Sequence, residues 1–114
     1  MLKGLGGLGD MAKMMKAAQE MQGKMAALQD ELHRITVEGQ SGAGLVRVTA
    51  TAKGEVTALS IDPSLLTPGE AGMAEDMILA ALRDAQAKAA ERSKAEIRKI
   101  TDAMGLPPDM KLPV

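Results

Sequence analysis

Between Arg34 and Leu66 the sequence RITVEGQSGAGLVRVTATAKGEVTALSIDPSLL alternates apolar with polar residues at period two and breaks the alternation with glycine. Successive side chains of a strand point to opposite faces, so this period fits a half-buried sheet and no helix. Ile35 and Val37 fall on one face with Thr36 and Glu38 on the other, and Val46, Val48 and Ala50 repeat the pattern against Arg47, Thr49 and Thr51. A third strand runs from Val56 to Ile61. Gly39, Gly42 and Gly44 permit a wide first loop, and Lys53-Gly54 has the spacing of a tight hairpin. Asp62-Pro63 ends the sheet, because proline has no N–H for a ladder and restricts the residue before it. The stretch reads as a three-stranded antiparallel meander over residues 35–62.

The order EGQSGAGLVRV followed by IDPSLL, a Gly- and Met-rich amino-terminal helix and a closing MGLPPDMKLPV together resemble the YbaB/EbfC family of bacterial nucleoid-associated proteins. The resemblance covers essentially the whole chain. It implies a homodimeric, cytoplasmic protein of the nucleoid that grips duplex DNA and has a role in nucleoid organisation and gene regulation.

Helical periodicity flanks the sheet on both sides. From Met11 the apolar positions are Met11, Met14, Ala18, Met21, Met25, Leu28 and Leu32, alternating by three and four. That is a heptad seam, expected to serve both packing against the second helix and contact across a dimer. The expected first helix spans 10–34, with Asp10 as its cap and residues 1–9 as a flexible Gly-rich tail. Gly4, Gly6 and Gly9 match a dinucleotide-binding G-x-G-x-x-G, but no strand delivers them and Asp10 puts negative charge where pyrophosphate would sit. A second helix is expected over 73–104, with Ile78, Leu82, Ala85, Ala89, Ile97, Ile100 and Met104 at the helical period. Gly105 stops it, and Pro107-Pro108 make 105–114 an extended tail. At about 1.5 Å per residue these helices reach roughly 36 Å and nearly 50 Å, too long to stay within a small globule.

The fold class is therefore α+β: long helix, three-stranded antiparallel β-meander, long helix, in one domain whose helical arms project. A chain of 114 residues that is 46% hydrophobic but has no aromatic residue builds a thin core, which favours a homodimer. Enzyme chemistry has little to stand on. There is no cysteine, and the one histidine, His33, has no partner at ligand spacing and reads as structural or solvent-facing. Asp30-Glu31 and Glu75-Asp76 are neighbours that diverge by about 100° on a helix, so they do not converge on a substrate. No cofactor, metal or small-molecule substrate is expected. No apolar run approaches the roughly 18 residues that span a bilayer, and MLKGLGGLGD does not read as a signal peptide.

Bulk charge does not advertise nucleic acid, since fourteen basic and fifteen acidic residues leave −1. Locally, six basic residues stand against three acidic ones between Arg83 and Lys99. If the helices pair antiparallel with their free ends together, Lys13 and Lys16 come beside Arg92, Lys94, Arg98 and Lys99. These six are the candidate DNA contacts, and Met14, Met21, Met25, Leu28 and Leu32 the candidate dimer and core seam. Without aromatic residues or a helix-turn-helix, contact with double-stranded DNA would be mainly through phosphate. The alternative is a protein-interaction module that engages a partner through the same arms, a partner that the family resemblance would set in the replication or recombination machinery.

Overall fold

A computed structural model describes the backbone of residues 2–105 and the side chains from residue 9 onward. In chain order it comprises α1 (Leu2–Arg34), β1 (Thr36–Ser41), β2 (Val46–Thr51), β3 (Val56–Ile61) and α2 (Ala71–Ala103), with 3-10 turns at Gly42–Gly44, Pro63–Leu65 and Pro68–Glu70. The strands form one antiparallel sheet in the order β1-β2-β3. Helix, meander, helix is the α+β arrangement the sequence implies.

The turns show what the glycines are for. Gly42, Ala43 and Gly44 have φ of 58°, 55° and 91°, three left-handed residues in a row, where the two that lack a Cβ carry no steric penalty. Lys53-Gly54 forms no two-residue hairpin. Gly54, at φ 91°, donates its N–H to Thr51 O at 2.8 Å, and Thr51 N–H reaches Glu55 O at 2.8 Å, so the loop has three residues, Ala52 to Gly54. Further along the same pair of strands the ladder shifts by one, Thr49 facing Ala58 while Ala50 faces Val56, so Thr57 is the extra residue of a bulge.

The core has two parts. Val46, Val48 and Ala50 of β2 pack with Val37 against Ala74, Ala81 and Ala85 of α2, with Leu65 closing the end. Small residues let the helix come down onto the strands. A Cβ on Gly39 would stand 2.3 Å from Ala85 N and 2.5 Å from Ala81 O, so β1 and α2 meet backbone to backbone. The second part joins the helices, with Leu28 and Leu32 buried beside Ala52 and packed by Met25, Ile35, Ile97 and Ile100. β3 contributes only Ile61, packed against the first part, and Val56 through Ser60 are all exposed.

Two boundaries differ from expectation. α1 begins at Leu2, so residues 2–9 are helix where the Gly-rich tail was expected. Once nucleated, a helix propagates through glycines at about 1 kcal/mol each, and Leu2, Leu5 and Leu8 keep the i, i+3 spacing. α2 begins two residues before Met73 and ends at Ala103. Gly105, at φ 71°, donates to Asp102 O at 3.2 Å, the left-handed stop expected there. The Pro-rich segment beyond it lies outside the described residues.

Candidate nucleic-acid interface

α2 spends its first half lying on the sheet, and only its last turns run beside α1. Lys24, Leu28 and Glu31 of α1 line one shallow concavity with Glu96, Lys99, Ile100 and Ala103 of α2. In this register Leu28 sits opposite Ile100. Lys16 then lies about 12 Å and Lys13 about 16 Å further out along α1 than Lys24, past the end of α2. The expected convergence of Lys13 and Lys16 on Arg92, Lys94, Arg98 and Lys99 is therefore corrected. The reason is the sheet: α1 runs directly into β1, whereas α2 must cross β1 and β2 before it is free to pair, so the free ends do not coincide.

Lys13 and Lys16 lie instead on a single helix whose residues Gly9 to Glu20 are all exposed. Of the expected seam, Leu28 and Leu32 are 2% and 1% exposed and Met25 packs against them. Met21 is half-buried, but Met14, at 71% exposure, touches no core, and Met11 and Met15 are as open.

On α2 the four basic residues divide into two pairs. Arg92 Nε and Lys99 Nζ both donate to Glu96 Oε1 at 3.0 Å, and Glu96 is itself 5% exposed. The Lys99 bond, then the Arg92 bond, hold its carboxyl below the usual carboxylate value, so it stays anionic between its two cations. Lys94 and Arg98, one turn apart, are exposed and make no ion pair among the described residues, as do Lys13, Lys16 and Lys24. At 100° per residue, Lys94 and Arg98 occupy the arc of α2 turned away from the α1 seam, while Arg92 and Lys99 flank the seam on either side of Glu96 along the helix. Lys24 is the residue that sequence reasoning missed. Its signal was the three-and-four spacing itself, since it precedes Met25 on the flank of the seam and so edges any groove the seam makes.

Asp84 and Lys88 tie α2 to β1. Asp84 Oδ2 accepts from Gln40 N–H at 3.0 Å, and Lys88 Nζ bridges Asp84 Oδ2 and Glu38 O, each at 3.0 Å. The Gln40 N–H foremost, with Lys88, lowers the Asp84 pKa. His33 is half-exposed and stands 3.9 Å from Glu55 Oε1. Among the described residues no group of three His, Cys, Asp or Glu could hold a metal ion, and no helix is long and apolar enough to cross a membrane.

Residues 7–104 match the model of the YbaB/EbfC DNA-binding family. A nucleoid-associated protein of Nitrobacter hamburgensis is 48% identical over 105 residues, covering 92% of this chain and 99% of its own. One from Rhodopseudomonas palustris strain BisB5 matches equally, at 48% over 105 residues with the same coverage. Among solved structures, an uncharacterized protein from Helicobacter pylori superposes with a TM-score of 0.65 at 25% identity, over 76% of this chain and 91% of that one.

Proposed function

The chain belongs to the YbaB/EbfC DNA-binding family, and from that premise we propose that it is a nucleoid-associated protein that grips duplex DNA as a homodimer, chiefly through phosphates. One observation carries the reading furthest. Lys13, Lys16, Lys24, Lys94 and Arg98 stand exposed and without ion pairs among the described residues on two helices, along an arm that extends the molecule to 83 Å while its width is 22 Å. A helix edged with uncommitted cations can follow a phosphate backbone, and with no aromatic residue it has nothing to stack on bases. Sequence preference is then weak and read through duplex shape. Compaction of the nucleoid, with consequences for transcription, follows from two arms per dimer engaging separate stretches of duplex. The exposed Met11, Met14 and Met15 face of the same arm favours the second reading, a protein partner.

Fluorescence anisotropy with unrelated duplexes at several salt concentrations tests this. Replacing Lys13, Lys16 and Lys24 with Ala should weaken binding to every duplex by a similar factor and flatten the log-log salt slope by about 0.9 for each phosphate no longer neutralised. The triple Lys94, Arg98, Lys99 replacement should act in the same sense, and Arg47→Ala, on the sheet, much less. Intact affinity in both triples, with binding abolished by Arg47→Ala, would move the interface to the sheet.

A further inference from the structure

The groove between α1 and α2 has its charges in order. Lys24, Leu28 and Glu31 form one wall and Glu96, Lys99 and Ile100 the other, with Leu28 packed on Ile100 at the floor. Lys24 and Lys99 lie nearer the projecting arm, Glu31 and Glu96 nearer the sheet. Glu96 is committed to Arg92 and Lys99, whereas Glu31 makes no ion pair among the described residues. Lys99 Nζ gives one of its three N–H donors to Glu96, and its side chain is 70% exposed, so it can take a second acceptor.

The stop of α2 turns the chain towards this groove. Met104 is the helix cap, and Gly105, at φ 71°, donates to Asp102 O, the bond a left-handed residue makes where a chain leaves the helix axis and folds back over the last turn. In that motif the apolar residue after the glycine packs on the turn before the cap. Here that residue is Leu106, and the turn before the cap holds Ile100, which lines the groove. Residues 106–114 read LPPDMKLPV, with one acid, Asp109, and one base, Lys111, among apolar neighbours. Successive prolines favour an extended form that advances about 3.1 Å per residue.

We propose that residues 106–114 lie back along the groove, with Asp109 facing Lys99 and Lys24 and Lys111 facing Glu31. The register follows from length. Counted from beside Gly105, Asp109 comes about 9 Å back, or six helical residues, level with Lys99; Lys111 comes about 16 Å back, or ten helical residues, level with Glu96 and within one turn of Glu31. Met110 falls between them, within a side chain's length of the Leu28 and Ile100 floor. Run the other way, out along α1, the segment would have one helix to lie on and no second wall. The functional consequence rests on the DNA reading above: Asp109 stands where a phosphate would meet Lys24 and Lys99, so the segment and a duplex compete for the same cations.

The native sequence has no cysteine, so a single nitroxide label can be placed on the full chain. On Leu112→Cys it should broaden the amide signals of Glu31 and Glu96 and spare those of Met11 and Met14. Broadening at Met11 to Met15 alone, or none, would overturn the docking. Broadening at Glu31 in unlabelled chains mixed with labelled ones would put the segment on a second copy and overturn the fold-back. Ending the chain at Gly105, and separately Asp109→Asn in the full chain, should each tighten duplex binding several-fold by anisotropy and steepen the log-log salt slope by about 0.9 for each cation released. Equal affinity and slope in both would overturn the competition with DNA. Absence of duplex binding in every form would sink the DNA reading instead, and the label, which needs no duplex, still decides the docking.

Discussion

A single methyl group added at position 39 would collide with the backbone of α2, 2.3 to 2.6 Å from Ala85 N, Ala81 O and Ala85 Cα. Backbone cannot swing aside as a side-chain tip can, so Gly39→Ala should destabilise by roughly 2–3 kcal/mol. For a domain of this size that is a fall in Tm on the order of ten degrees. An unchanged Tm would mean that α2 does not rest on Gly39. Glu96 offers a second test, because its carboxylate occupies Arg92 and Lys99 together. Glu96→Gln removes the charge and frees both cations, so duplex affinity should rise and the salt slope steepen by about 0.9 if one more phosphate is met. No change in either would take Arg92 and Lys99 out of the interface. Asp84, like Glu96, contributes to the pH dependence of stability. Its folded pKa is depressed by the Gln40 N–H and Lys88, so the stability it contributes is present above its unfolded pKa of about 3.9 and lost as pH falls through the folded value. Thermal melts of wild type and Asp84→Asn should therefore differ at pH 7 and draw together as the pH falls below the ordinary aspartate value; a gap independent of pH would refute the assignment.

At the scale of elements, α1 is two things in one helix. From Met25 to Leu32 it is core, and from Gly9 to Glu20 it is an exposed rod. Leu28→Asp buries an unpaired charge and should cost several kcal/mol, seen as a lower urea midpoint. Met14→Asp touches nothing in the chain, so the same measurement should leave it at the wild-type value. If Met14→Asp instead lowers the midpoint in proportion to dilution, the free stripe is part of an interface between copies. Sequence periodicity alone treats Met14 and Leu28 as equivalent positions of one seam. What separates them is the length of α2 left over after it has crossed the sheet.

As a whole molecule the chain is long and thin. Its radius of gyration is 21.7 Å, against about 13 Å for a compact chain of this length. The excess is the arm of α1, and it sets the cations Lys13 and Lys16 at a distance from Lys94 and Arg98 where one duplex can meet both only by lying along the arm. Tertiary position also decides which charges are available: Lys88 is spent on β1, Arg92 and Lys99 share Glu96, and Lys13, Lys16, Lys24, Lys94 and Arg98 stay open to an anion.

Period-two alternation, the glycines and Asp62-Pro63 determined the meander, and the three-and-four spacing determined two long helices, because both patterns follow from the local geometry of a pleat and of a 3.6-residue turn. The family was legible too, from EGQSGAGLVRV and IDPSLL. Local geometry does not say how far one helix slides along another. The tertiary structure set that register by laying the alanine face of α2 on Gly39, Val46 and Val48 first, and so decided that Lys24, not Lys13 or Lys16, stands beside Lys99. It likewise decided which sheet edge is covered, since only packing could bring Asp84 and Lys88, more than forty residues away in the chain, to the main chain of β1.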